Sequence, residues 1–350
     1  MIAGFFNTVG YAGPWTSNAW PAPPVGCDRE AARLTMDRAM DQVLLADELG
    51  FDWISVSEHH YSPRILTPSP MIFAAAITQK IKRAKIAILG PLLPLSNPVR
   101  VAEELAMLDV MSQGRIVVLF LRGTPNETLV YRANPDETRE VTQEGIELIL
   151  RAWTEPQPFG WEGRYFSFRT VSVWPRTLQE PRPRVFSSGN TPDSVPFAAR
   201  QRLGLALSFM PLAEIKHRVE LYREEAAKAG WEPAADDVVY RFFGHVADTD
   251  EQARRNVGDN KVDFGRAFGM NEAVLKRLIG NRSAALYMMV METPFLFGGP
   301  AAVVDQIGAL REAGVGNMDM AFTWPGISYE QQLQSMECFA SRVIPQIRAL

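Results

Sequence analysis

Cysteine is nearly absent, with only Cys27 and Cys338 at opposite ends of the chain. Two distant thiols supply neither a disulfide framework nor a multi-cysteine metal site, so a reducing cytoplasm is the expected setting. Histidine is scarce too, four in 350 residues, which leaves a metal centre few imidazoles to draw on, and none is expected. No stretch reaches the roughly 18 uncharged apolar residues of a membrane-spanning helix. The N-terminal MIAGFFNTVGYAGPW also lacks a charged segment followed by an unbroken apolar one, so the reading is soluble and unexported. Basic blocks are missing as well. With 22% charged residues and a net charge of -4, nothing favours nucleic acid, and a small-molecule enzyme or a neutral binding module remains. Finally, no GxGxxG follows the first apolar run and no GxxxxGK[ST] occurs anywhere, which removes the argument for a dinucleotide fold or a P-loop.

What is present is a rhythm of short apolar runs, each followed by a helical pattern. The runs are Ile2 to Phe6, DWISVS, AKIAILG, Arg115 to Leu121, PRVFSSGN, GLALSFM, Val238 to Val246 and Asn317 to Phe322. Helical spacing follows over Glu30–Leu49, Met71–Ile81, Pro98–Met111, Thr138–Trp153, Pro192–Gln201, Leu212–Ala229, from Asp250 towards Phe264, Pro300–Ala313 and Tyr329–Ile347. Eight strand-helix units make an α/β chain with the count of a TIM (β/α)8 barrel, expected here as one domain over 1–350. Two insertions are expected. One, about 154–183, is rich in Pro, Gly and aromatics and reads as short antiparallel strands; the other, about 264–298, reads as a helix or lid.

In such barrels, ligands collect where strands end, which directs attention to Asp52–Gly123. Glu58, His59 and His60 follow DWISVS. One histidine oriented by a carboxylate suits general acid/base work, whereas His217, within a helix, and His245 are read as structural. Arg122 follows an apolar strand and can clamp a phosphate with paired donors, or else form an ordinary loop salt bridge. SSGNTPDS offers Ser188, Gly189, Asn190, Thr191 and Ser194 at a strand-to-helix turn. A phosphate cradle and plain capping, with Thr191 as N-cap, explain those letters equally. Trp15 and Trp20 line a pocket or pin their loop, and Phe6 and Trp324 suggest an apolar pocket in the same two-sided way.

In combination, GFDWISVSEHHYSP, AILGPLLPLSNPVRVAEELAMLDVMSQGR, LFLRG, SSGNTPDS with AARQRLG, and FGGPAAVVDQI resemble the bacterial luciferase-like flavin-dependent monooxygenases over most of the chain. The resemblance implies a luciferase-like barrel, a homodimer or related oligomer, and reduced FMN delivered transiently by a separate flavin reductase. It further implies oxygenation of a small organic substrate through a peroxyflavin. His59 becomes the proton-handling residue, His60 a support and Glu58 an orienter. Arg122, Thr191 and Ser194 take the positions that hold the FMN phosphate, while Asn190 stands where the luciferase α subunit has an acidic residue. A non-proline cis peptide is implied near Leu89 and Gly90. Where luciferase has a reactive cysteine, this chain has Leu121, so light emission is not expected. A deazaflavin-dependent hydride transferase and a non-catalytic flavin-binding barrel are the alternatives.

Overall fold

A computed structural model describes residues 1–14, 20–124, 126–258, 296–324 and 326–350. Parallel strands β1 (Ile2–Phe6), β2 (Trp53–Ser57), β3 (Lys85–Leu89) and β4 (Ile116–Phe120) pair in sequence order. They continue through β7 (Arg184–Ser188), β8 (Gly204–Ser208), β9 (Val238–Val246) and β11 (Asn317–Ala321), and β11 returns to β1. The ring is therefore closed. Runs such as IVVLF are buried on both faces because one side fills the barrel and the other meets the helices, which is why they read as continuous and not alternating.

Local chemistry places the helices. Asp28 accepts from Ala31 N–H at 2.8 Å to start α1 (Arg29–Leu49), and Gly50, at φ 90°, ends it. Asn97 accepts from Val99 and Arg100 to start α3 (Pro98–Met111), which packs beside α2 (Pro70–Thr78). Then come α4 (Thr138–Thr154), α5 (Val195–Arg200), α6 (Leu212–Lys228), α7 (Asp250–Val257), α8 (Pro300–Glu312) and α9 (Tyr329–Cys338).

The first insertion is a hairpin of antiparallel strands β5 (Phe159–Glu162) and β6 (Ser167–Val171). Glu144 of α4 staples it by accepting from the backbone N–H of Arg164, Tyr165 and Phe166 at 2.9–3.0 Å. The second expected insertion lies mostly outside the described residues. Its last part, Leu296–Gly298, is not lid but strand β10, paired with β9 outside the ring. Two helices differ from the periodicity. Pro192–Gln201 divides into a tight turn, Pro192–Ser194, and the six-residue α5. Tyr329–Ile347 is interrupted by a π turn at Phe339–Val343, before α10 (Ile344–Arg348), where Pro345 has no N–H to continue the ladder.

Alternate strand residues, among them Phe6, Trp53, Ala87, Leu89, Val117, Leu119 and Phe186, fill the barrel. A polar chain crosses this apolar interior. Ser55 Oγ donates to Asp319 Oδ1 at 2.7 Å, and Asp319 Oδ2 accepts from Arg241 Nε and Nη2 at 2.9 and 2.8 Å.

Candidate active site

The end of β2 delivers three groups to different partners. Glu58 is buried; its Oε1 meets His60 Nε2 at 3.0 Å and its Oε2 accepts from Leu92 N–H at 3.0 Å. Both carboxylate oxygens are thus engaged, on His60 and on the loop after β3, and Glu58 does not orient His59 as a neighbour in sequence would suggest. His60 is held further by Trp20, whose Nε1 donates to its carbonyl at 2.9 Å, and by Tyr131, whose ring lies 5.4 Å away. Trp20 therefore pins its loop. Trp15 lies outside the described residues.

His59 takes its partner from another strand end. Its Nδ1 lies 3.1 Å from Glu127 Oε1, with Glu127 almost wholly buried and the imidazole about one-fifth exposed. An ionised carboxylate can only accept, so Nδ1 carries the proton in this pair, and Nε2 has no hydrogen-bond partner among the described residues. Glu127 also accepts at Oε2 from Thr124 N–H at 2.9 Å and from the Thr124 hydroxyl. Burial opposes its ionisation, but the contacts with His59 and Thr124 prevail and hold the carboxyl down at about 2. Arg64, in the loop after β2, faces Glu127, and burial pushes its guanidinium down to about 10. Sequence reasoning missed Glu127. It belongs to no strand-end motif, and only the folding of the loop after β4 brings it to His59.

Arg122, two residues beyond β4 at the same rim, makes no hydrogen bond or ion pair among the described residues. Burial lowers its pKa, and Arg139 nearby lowers it further, against Glu140 and Asp193. Arg139, from the first turn of α4, reaches Asp193 at 3.2 Å, yet its Nε is buried with no hydrogen-bond partner among the described residues. Two guanidinium groups with spare donors and mutual repulsion make a place where a dianion such as phosphate is welcome. Arg139 was also missed from sequence, since a helix-start arginine ordinarily reads as solvated.

The SSGNTPDS turn contributes less than its letters suggest. Thr191 stands at the N-cap position without a side-chain cap bond; its hydroxyl lies 3.2 Å from Ser194 Oγ, which donates to Thr191 O at 2.7 Å. These hydroxyls sit beside Asp193, the partner of Arg139. Asn190 faces sideways, donating to Ser208 Oγ and accepting from Ser208 N–H, both at 2.9 Å, and so ties β7 to β8. That engagement makes it a strut and not a free ligand group. At Gly189 any Cβ would lie 2.4 Å from Leu205, so glycine is needed there, while Ser188 is half-buried at the end of β7. Leu89 is buried and Gly90 has φ 92°, but the cis bond of this corner is Gly90–Pro91, one bond later and of the proline type.

His217 is exposed on α6. His245 is buried, with Asn256 3.0 Å from its Nε2, and burial holds it down at about 4, neutral at ordinary pH. Among the described residues no helix is long and apolar enough to cross a membrane, and no three potential ligands are grouped to hold a metal. An open surface groove of about 690 Å³, between Asp248–Glu251, Gly299–Ala302 and Arg342, is lined by none of these groups.

Three solved structures are similar over nearly the whole chain. The monooxygenase RslO1 from Streptomyces bottropensis is 27% identical with a TM-score of 0.79, covering 99% of each chain. The oxygenating constituent of 3,6-diketocamphane monooxygenase from Pseudomonas putida, a type II Baeyer-Villiger enzyme in complex with FMN, is 23% identical with a TM-score of 0.75, covering 99% of this chain and 98% of that one. An F420-dependent secondary alcohol dehydrogenase in complex with an F420-acetone adduct is 18% identical with a TM-score of 0.74, covering 99% of this chain and all of that one. A sequence model described as luciferase-like monooxygenase matches residues 14–317, and the chain belongs to that family.

Proposed function

We propose that this chain is the oxygenase component of a two-component system, a single barrel unit that takes reduced FMN from a separate reductase and uses oxygen on a small organic substrate. The observation that carries the reading is the pair Arg122 and Arg139, with donors to spare, at the same rim as His59 and Glu127. The two arginines fit a flavin phosphate, with Thr191 and Ser194 adjoining. Bound reduced flavin supplies the electrons and activates the oxygen. His59, fixed at Nδ1 by Glu127, presents Nε2 as the group that takes or returns a proton, and Glu58 with His60 stiffens the wall behind it. The apolar barrel mouth excludes water from the reacting atoms.

Titration with FMN, reduced and oxidised, tests the reading. Arg122→Ala and Arg139→Ala should each weaken binding by roughly 10- to 100-fold, the loss of charge-assisted hydrogen bonds. Failure of the wild type to bind FMN, or to oxygenate any of a panel of substrates when given reduced FMN and oxygen, would sink it.

The similarity to an F420-dependent enzyme keeps a second reading in view, in which the same arginines hold a deazaflavin phosphate and hydride transfer replaces oxygenation. Tighter binding of F420 than of FMN would favour it. For assembly, exposed Ile72 on α2 and Met107 and Val110 on neighbouring α3 support a homodimer through these helices.

A further inference from the structure

The inner wall of the barrel carries a cation that the flavin reading leaves unused. Arg241 sits on β9 opposite Ser208, the last residue of β8, and opposite Asp319 on β11. It therefore stands at the floor of the mouth and not at the base of the barrel. Phe6 lies under its guanidinium at 4.3 Å, and Nε and Nη2 are spent on Asp319. Nη1 has no hydrogen-bond partner among the described residues, and the side chain keeps 11% of its surface open. Two positions along β9 on the same inner face is Phe243, stacked on Phe209 at 5.1 Å and 5.7 Å from Trp324. Across the mouth, Ser57 is 3% exposed, follows Trp53 and Ser55 on the inner face of β2, and its Oγ has no hydrogen-bond partner among the described residues.

We propose that Arg241, through its open Nη1 edge, anchors the substrate by a neutral carbonyl oxygen, and that the substrate is otherwise an apolar or aromatic ring compound. The charge arrangement selects the class. Arg241 and Asp319 form a neutral pair, so a carboxylate entering this mouth would lose its water and face Asp319 as well as the guanidinium. A carbonyl oxygen has no such cost, and it accepts a strong hydrogen bond from a charged donor. The aromatic wall of Phe243 and Trp324, with the Phe6 ring in the floor, takes the rest of the molecule through its area. The inference rests on the flavin reading for what becomes of the substrate, but not for how it is held.

Three probes of similar shape separate the possibilities: acetophenone, ethylbenzene and benzoate, titrated against the protein with and without FMN. Wild type should bind acetophenone about tenfold more tightly than ethylbenzene, the worth of one hydrogen bond to a charged donor, with benzoate no tighter than ethylbenzene. The carbonyl carbon of 13C-labelled acetophenone should move downfield on binding. In the double variant Arg241→Met with Asp319→Asn, which leaves no lone buried charge, the ketone preference and the 13C shift should both vanish. Arg241→Lys keeps the charge opposite Asp319 but removes the Nη1 edge, and it gives the same test should the double variant not fold. Equal binding of ketone and hydrocarbon by wild type, an undiminished preference in the variants, or benzoate as the tightest probe would overturn the proposal. Loss of FMN binding by wild type with the ketone preference intact would instead overturn only the flavin reading.

Discussion

Glu127 shows how much one side chain can carry. With a carboxyl at about 2 against an ordinary value of 4.5, its ionised form favours the folded state. That stability is fully present above about pH 4.5 and is lost as pH falls towards 2, on the order of 3 kcal/mol for a group so buried. Glu127→Gln should therefore flatten the unfolding free energy over that interval, as read from urea titrations at a series of pH values; slopes parallel to wild type would refute the assignment. At this scale the sequence was partly legible. His59, His60, Glu58 and Arg122 could be picked out because strand ends are where such barrels work, and the structure brings all four to one rim. Their pairings could not, because adjacency along a strand end says little about which side chain meets which. Glu58 turns to His60, and His59 looks across to a loop 68 residues away.

At the scale of elements the hydrophobic rhythm was a good guide, since each of the eight apolar runs became a barrel strand. Boundaries failed where proline decides the backbone. The turn at Pro192 takes up a third of what periodicity reads as one helix, and Pro345 follows the π turn near the end of the chain. The capping grammar at Thr191 holds in position, with Thr191 as N-cap and Pro192 opening the turn, but its hydroxyl meets Ser194 instead of the backbone. Gly189, the residue after β7, has no room for a side chain. Gly189→Ala would press a Cβ to 2.4 Å from Leu205 Cδ1 and should cost about 1–3 kcal/mol, lowering the thermal midpoint. An unchanged midpoint would mean that β7 and β8 can separate without penalty, contrary to the ties of Asn190 to Ser208.

Across the whole molecule the closed ring was legible in the count of strand-helix units, and the polar chain inside it was not. Ser55, Arg241 and Asp319 lie in runs that otherwise read as buried strand, and nothing in their spacing shows that they meet. Assembly is testable at this scale too. Ile72 is 76% exposed, so Ile72→Glu should leave the fold intact but shift sedimentation from a dimer towards the 39.1 kDa chain. A wild type that sediments as a monomer would remove the dimer proposal.

The bridge from His59 to Glu127 has one more consequence. It fastens His59, just past the end of β2, to the loop after β4 that also carries Arg122, so the proposed anion anchor and the partner of the proposed acid-base group share one loop. Two sites joined through one loop obey thermodynamic reciprocity: whatever factor anion binding imposes on the charge state of His59, that charge state imposes on anion affinity. The Glu127→Gln protein, titrated with FMN across pH, reads this coupling from one side, and the protonation of His59 with and without FMN reads it from the other. The flavin's phosphate would then be an allosteric effector of the chemistry at the opposite end of the same cofactor.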